Sequence, residues 1–346
     1  MQFDPKCIGI ARQRRKLTKQ DLAKRLGVSP RSITSYERGD TPVTAEFIEA
    51  LADATSFPES FFKLHSLEAV TTDNVSFRSM ARLSARDRDA ALASASIAYE
   101  IFSWADTRYN LPEPEIPNLR GEEPETAARI VRREWGLGHQ PIANILHLLE
   151  SKGVRSFSLN EDTQHLDAFC TWIDRQPFVF LNNRKSAERS RFDAAHELAH
   201  LVLHVGYDTK GKEVEAEADR FAGEFLVPSD ALRSPSHSRR FFGTNDILEL
   251  KTYWRVSAVA MAYQLRSANM LTRYQYENMM REFSSRGWRR KEPRPIQRER
   301  SLLWEKIKIS LLKDGLSFFD VADMISIPKN EIGGYLFDVV PNIVRT

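Results

Sequence analysis

Three of the chain's eight histidines fall within nine residues: His196, His200 and His204, in the stretch RFDAAHELAHLVLH at 191–204. On a helix, positions four apart lie one above the other on the same face. His196 and His200 therefore present both imidazoles to one point, which is what a tetrahedral zinc ion asks of two of its ligands. Glu197 flanks the same point, where a carboxylate can take a proton from a water molecule. The arrangement H-E-x-x-H is the metallopeptidase signature. At the His and Glu frequencies of this chain, one such match arises by chance with odds on the order of 0.01. The helix around it is apolar (Leu198, Ala199, Leu201, Val202, Leu203), so two imidazoles and a carboxylate there would be costly to bury without partners.

Catalytic zinc needs a third protein ligand and an open fourth position. EVEAEADRFAGEFLV at 213–227 reads as a second helix, stopped by Pro228. It offers Glu213, Glu215, Glu217 and Asp219. Glu215 and Asp219 share a face, so Glu215 is expected as the ligand and Asp219 as the acceptor for the free N–H of a ligand histidine. Glu217 lies two residues from each, is expected to point away, and stands as the reserve ligand. His204, eight residues after His196, is expected near the same face, touching substrate or packing beside the site.

These helices must be held by others. LTKQDLAKRLGVSPRSITSYERG at 17–39 reads as two short helices joined by a tight turn. Thr18 caps the first, with Asp21 three residues on. Gly27 ends it. Ser29 caps the second and Pro30 takes its first position. Residues 45–62 add an amphipathic helix and an aromatic closure. A helix is expected within 80–109, a Pro- and Glu-rich linker at 111–125, and helices at 125–135 and 140–151. GVRSFSL, AFCTWI and PFVFLN read as strands, and an edge strand within 154–173 could align an extended substrate by strand addition. Two later stretches, 248–265 and 317–336, echo the helix–turn–helix outline. The first is read as packing on the peptidase or docking substrate, with Arg255 and Gln264 as its exposed polar groups. The basic run RGWRRKEPRPIQRER at 286–300 reads as a solvated linker.

Composition narrows the class. The chain has 346 residues, two cysteines, 42% hydrophobic and 28% charged residues, and a net charge of +3. Two or three domains are expected, without a disulfide framework, membrane span or secretory signal, in a reducing cytoplasm. Residues 1–40 hold ten Lys/Arg against four Asp/Glu. That excess of six suits double-stranded DNA. The second helix of the N-terminal pair, 30–38, would enter the major groove, with Arg31, Ser32, Thr34 and Ser35 towards the bases. Gln20 would hold a phosphate or base edge, and Lys19 and Arg38 phosphates. Protein docking is the alternative use of these helices.

RSRFDAAHELAHLVLH followed by EAEADRFAGEFLVP resembles the ImmA/IrrE-type metallopeptidases over about 120–230. ARQRRKLTKQDLAKRLGVSPRSITSYERGDTPVTAEFIEALADA resembles the Xre-type helix–turn–helix domain over about 7–65. VSFRSMARLSARDRDAA resembles the connector of chains that fuse the two. The resemblance implies a multidomain α+β chain. It would have an all-α helix–turn–helix domain at 1–66, a helical connector and linker at 67–115 and a gluzincin-like α/β peptidase domain at 116–285. A basic linker with a small helical region would follow at 286–346. It implies Zn2+ held by His196, His200 and Glu215, with Glu197 catalytic. It also implies cleavage of a dedicated repressor, often Xre-like, that releases a stress-response or mobile-element operon. The best-studied members carry their helix–turn–helix elsewhere or lack it, so its position here could change how cleavage is directed. The alternatives are a non-proteolytic regulator whose zinc domain senses metal or binds a partner, and a general peptidase, which would leave the DNA-binding domain unexplained. A homodimer is left open.

Overall fold

The structure, a computed structural model, describes residues 3–63, 70, 83–159, 166–204, 211–233 and 242–340. In chain order its helices are α1 (Pro5–Arg14), α2 (Lys19–Leu26), α3 (Pro30–Arg38), α4 (Ala45–Thr55) and a 3-10 turn (Glu59–Lys63), then α5 (Ala85–Asp106), α6 (Pro124–Glu134) and α7 (Ile145–Ser151). Strands β1 (Arg155–Leu159), β2 (Ala168–Ile173) and β3 (Gln176–Asn182) follow. After them come α8 (Ala187–Leu203), α9 (Lys212–Leu226), α10 (Ser229–Leu232), α11 (Thr244–Trp254), α12 (Ala258–Ser267), α13 (Arg273–Ser285), α14 (Leu302–Lys313), α15 (Phe318–Met324) and α16 (Lys329–Tyr335). No described helix is long and apolar enough to cross a membrane. The part of the connector motif at 75–82 lies outside the described residues.

The chain forms two compact units. One comprises 1–113, 155–180 and 300–346, the other 114–154 and 181–299. In the first, the local signals at the N-terminus act as their chemistry requires. Thr18 and Asp21 complete a reciprocal capping box, and Gly27 takes the left-handed conformation (φ 67°) that ends α2. Ser29 accepts from the Ser32 N–H, with Pro30 at the first position of α3. Leu22, Ala23, Ile33, Ile48 and Leu51 close a small core between these helices. The three-stranded sheet has the order β1-β3-β2. Asp174 and Arg175, both at positive φ (47° and 65°), make the two-residue turn joining β2 to β3. β1 and β2 are thus both edge strands. Phe157, Phe169, Phe178 and Phe180 stack on the sheet, and Trp304 of α14 packs on Phe157 at 5.2 Å.

The 317–336 echo forms a helical pair, α15 and α16, but its second helix cannot read a groove. Glu331, Ile332, Gly333, Gly334 and Tyr335 are all buried. Ser158 of β1 donates to the Gly334 carbonyl, and Glu331 receives Arg14 (2.8 Å) and Arg15 of α1. Burial pushes the Glu331 carboxyl up, but the two guanidinium groups outweigh it and hold it below its usual 4.5. A carboxyl whose folded value lies below its unfolded one stabilises fully above the unfolded value. The contribution is lost as pH falls through the folded value. Melting of the wild-type chain should therefore fall more steeply below about pH 4.5 than that of Glu331→Gln. The variant should be less stable at pH 7 by on the order of 2 kcal/mol, because Arg15 stays partly in water. Calorimetric melts of both proteins between pH 3 and pH 7 check this; parallel curves would remove the ion cluster from the stability of this unit.

In the second unit, α8 and α9 pack against each other and both against α6. α9 ends at Leu226, before Pro228. There the buried Glu224 carboxylate accepts from the N–H and hydroxyl of Ser229 and from the Gln264 amide. Gln264, expected to be exposed in the 248–265 echo, is therefore buried. Its amide also donates to the Val227 carbonyl, so α12 fastens the end of α9. The basic run divides in two. Arg286, Arg289, Arg290 and Lys291 are exposed, whereas 292–299 is pinned against α8. Lys251, fully buried, binds Glu188 (3.2 Å) and Glu292 (3.1 Å) and donates to the carbonyls of Pro293 and Arg294. Glu299 pairs with Arg191 and accepts from the first N–H groups of α7. This segment is a strap over the first two turns of the histidine helix, not a solvated linker.

Candidate metal centre

His196, Glu197 and His200 occupy the second half of α8, in a helix capped by Ser186 and braced by the strap. The two rings lie 4.9 Å apart, and their Nε2 atoms face each other at 3.2 Å. Glu215, in the first turns of α9, brings its carboxylate to 3.5 Å from His196 Nε2 and 3.7 Å from His200 Nε2. One donor atom from each of the three lies within 4.8 Å of the others. Two imidazole nitrogens on a tetrahedral zinc at about 2.0–2.1 Å would be about 3.3 Å apart.

The proton positions also fit a cation. Asp219 lies 3.0 Å from His196 Nδ1, and a carboxylate accepts there, so Nε2 is the nitrogen that His196 turns to the ligand point. Burial works against charge on His196, but Asp219, Glu215 and Glu197 outweigh it and raise the ring to about 10. His200 goes the other way. Burial first, then His196 and His204, hold it well below the ordinary imidazole value, in the neutral form a ligand needs. Glu197 is buried beside His196. The residues present fit zinc: two imidazole nitrogens and a carboxylate meet at a point whose surroundings favour positive charge, and the ion would take the place of the proton on His196 Nε2.

Glu215 and Asp219 stand as their shared face predicts. Glu217 differs: instead of pointing away it reaches His204, with Oε2 3.0 Å from Nε2. His204, in turn, places Nδ1 2.9 Å from His200 Nδ1. The expectation for Glu217 treated α9 alone. His204 sits one turn beyond His200, and packing the two helices side by side lays that turn against the other flank of α9. Glu213, the remaining acidic candidate, stands outside the triad. Sequence reasoning also missed Glu188, Arg191, Lys251 and Glu299. The signal for Arg191 was a charge at a position facing the core.

On the N-terminal helices, Gln20, Arg31 and Arg38 are exposed. Ser32, Thr34 and Ser35 are half-buried and already bonded, to Ser29, the Pro30 carbonyl and Thr41 respectively. Lys19 is turned towards Thr34 and Glu37 (3.2 Å), leaving about 40% of its side chain exposed.

Fold and site together define a chain with a helix–turn–helix module and a separate unit carrying a His–His–Glu cluster suited to metal. Comparison with protein families agrees on both parts. A helix-turn-helix family model matches residues 8–62, and the model of the IrrE N-terminal-like domain, a peptidase family, matches residues 149–266. The chain thus has the fused architecture of an Xre-type helix–turn–helix domain and an ImmA/IrrE-type metallopeptidase-type domain. No curated protein matches it.

Proposed function

We propose that this chain is a cytoplasmic, DNA-binding regulatory zinc metalloendopeptidase with a gluzincin-like domain. Its substrate is one specific protein, a transcriptional repressor of Xre-like kind, and cleavage releases a stress-response or mobile-element operon. The observation that carries the reading is the convergence of His196 Nε2, His200 Nε2 and the Glu215 carboxylate beside the buried carboxylate of Glu197. When bound, zinc supplies a Lewis acid that polarises the scissile carbonyl and makes water acidic near neutral pH. The chain's residues do the rest. His196, His200 and Glu215 hold the ion, and Asp219 orients His196. Glu197 takes a proton from the attacking water and returns it to the leaving amine, so that one peptide bond and one water become an acid and an amine.

The reading is tested by mapping new protein N-termini in cells that express the chain or its Glu197→Gln form. One protein cut by the first and spared by the second supports it. Cuts spread over many proteins would favour a general peptidase. Operon release without any cut would favour a non-proteolytic regulator.

The N-terminal domain carries its own expectation. Arg31→Ala should weaken binding to the chain's own promoter DNA by about 1–3 kcal/mol and relax discrimination at one base pair. Arg38→Ala should lower the salt slope by about 1 with little change in discrimination. Anisotropy titrations at several salt concentrations decide this. Wild-type behaviour in both variants would move these helices to protein docking.

A further inference from the structure

Two side chains beside the cluster have no part in the chemistry above. His204 ends α8 as its C-cap residue, with its side chain 7% exposed. Glu217 lies between Glu215 and Asp219 on α9. Their contacts continue a single row: Glu217 Oε2 to His204 Nε2 at 3.0 Å, His204 Nδ1 to His200 Nδ1 at 2.9 Å, and His200 Nε2 to His196 Nε2 at 3.2 Å.

Protons in such a row are not independent. A carboxylate accepts, so His204 donates from Nε2. A neutral imidazole has one N–H, so His204 Nδ1 is then an acceptor, and His200 Nδ1 must donate to it. His200 has then spent its one N–H, and its Nε2 faces His196 and Glu215 as a lone pair. The competing row has His204 donating from both nitrogens. It would make His204 a cation in a largely enclosed position and leave a hydrogen on His200 Nε2, aimed at the ligand point.

We propose that His204 and Glu217 are positioning residues that preset the tautomer of His200 for metal, as Asp219 does for His196. The need is geometric. Asp219 is committed to His196 Nδ1, and His200 Nδ1 faces the far end of α8, where the Glu217 carboxylate is reached through one intervening ring. The two ligands would thus be oriented by different devices: a half-exposed carboxylate in direct contact, and a partly exposed carboxylate acting through an enclosed imidazole. This inference rests on the metal-centre reading above but not on peptide hydrolysis.

The test uses the full chain labelled with 15N-histidine and freed of metal by a chelator. Long-range 15N–1H correlations should show His200 protonated at Nδ1 and bare at Nε2 before any zinc is added. A hydrogen on His200 Nε2 overturns the proposal. In the second arm, zinc affinity is measured by competition with a chromophoric chelator. His204→Phe keeps an aromatic ring and removes the acceptor; it should lower affinity about 10–100-fold. His204→Gln, whose amide oxygen can accept from Nδ1, should restore most of that loss. Wild-type affinity in His204→Phe, or no difference between the Phe and Gln variants, counts against the relay. A wild-type chain that binds no zinc refutes the metal-centre reading instead, and the metal-free tautomer measurement still judges the relay. Because that measurement is made on the wild-type chain, poor folding of His204→Phe would not shield the proposal.

Discussion

Replacing Glu197 by Gln should cut the rate of peptide cleavage on the order of 10^3-fold while leaving zinc and DNA binding nearly unchanged. The two side chains have almost the same shape, so a group buried to 2% exposure can be exchanged without a cavity. An amide cannot take up a proton at neutral pH, and a positioned acid–base group is worth about 10^2–10^4 in rate. Glu197 is outside the His196–His200–Glu215 triad, so affinity for zinc should stay within a few-fold of wild type. The helix–turn–helix domain belongs to the other compact unit, so operator affinity should not change. The measurement is single-turnover cleavage of the protein found by N-terminus mapping, alongside chelator competition and anisotropy on the same preparations. Cleavage within tenfold of wild type would remove Glu197 from the chemistry, and with it the proposed mechanism.

Removal of a ligand should be more drastic for the metal itself. His200→Ala and Glu215→Ala are each expected to reduce zinc affinity by on the order of 10^3-fold or more, beyond the 10–100-fold typical of a supporting group. Glu217→Ala should fall in that smaller range, because its carboxylate reaches His204 and not the ligand point. The ordering tests the third ligand directly. A chain that loses more affinity from Glu217→Ala than from Glu215→Ala would transfer the ligand role between the two. His200→Ala also removes a buried ring from α8, so each variant's melt is recorded with its affinity. A folded variant with tight zinc binding would mean that His200 is not a ligand.

Much of this protein is local, and the local part was legible in the amino-acid order. Thr18 with Asp21, Gly27, and Ser29 with Pro30 placed the first helices because caps and left-handed ends act over a few residues. The strands at 155–159, 168–173 and 176–182 followed from short aromatic and β-branched runs. The turn of one helix put His196 over His200, and that of another put Glu215 and Asp219 on one face. Each of these relations concerns a side chain and its own axis.

What the sequence left undecided depends on two axes at once. Spacing sent Glu217 away from the site, yet the packing of α9 on α8 brings it to His204, because what a side chain meets depends on how neighbouring helices cross and slide. The 317–336 pair has the outline of a DNA reader, but its second helix is buried against α1 and β1 by Glu331, Gly334 and Tyr335. A pattern of helix and turn carries no information about which face is covered. The basic run likewise reads as solvated by composition. Only the folded unit shows Glu299 on Arg191 and Lys251 between Glu188 and Glu292, where buried charges find partners up to 108 residues away along the chain. Short-range order specified the candidate ligands and the helices that carry them. Tertiary packing decided which carboxylates serve them and what holds the histidine helix in place, because those contacts exist only once separate elements have been brought together.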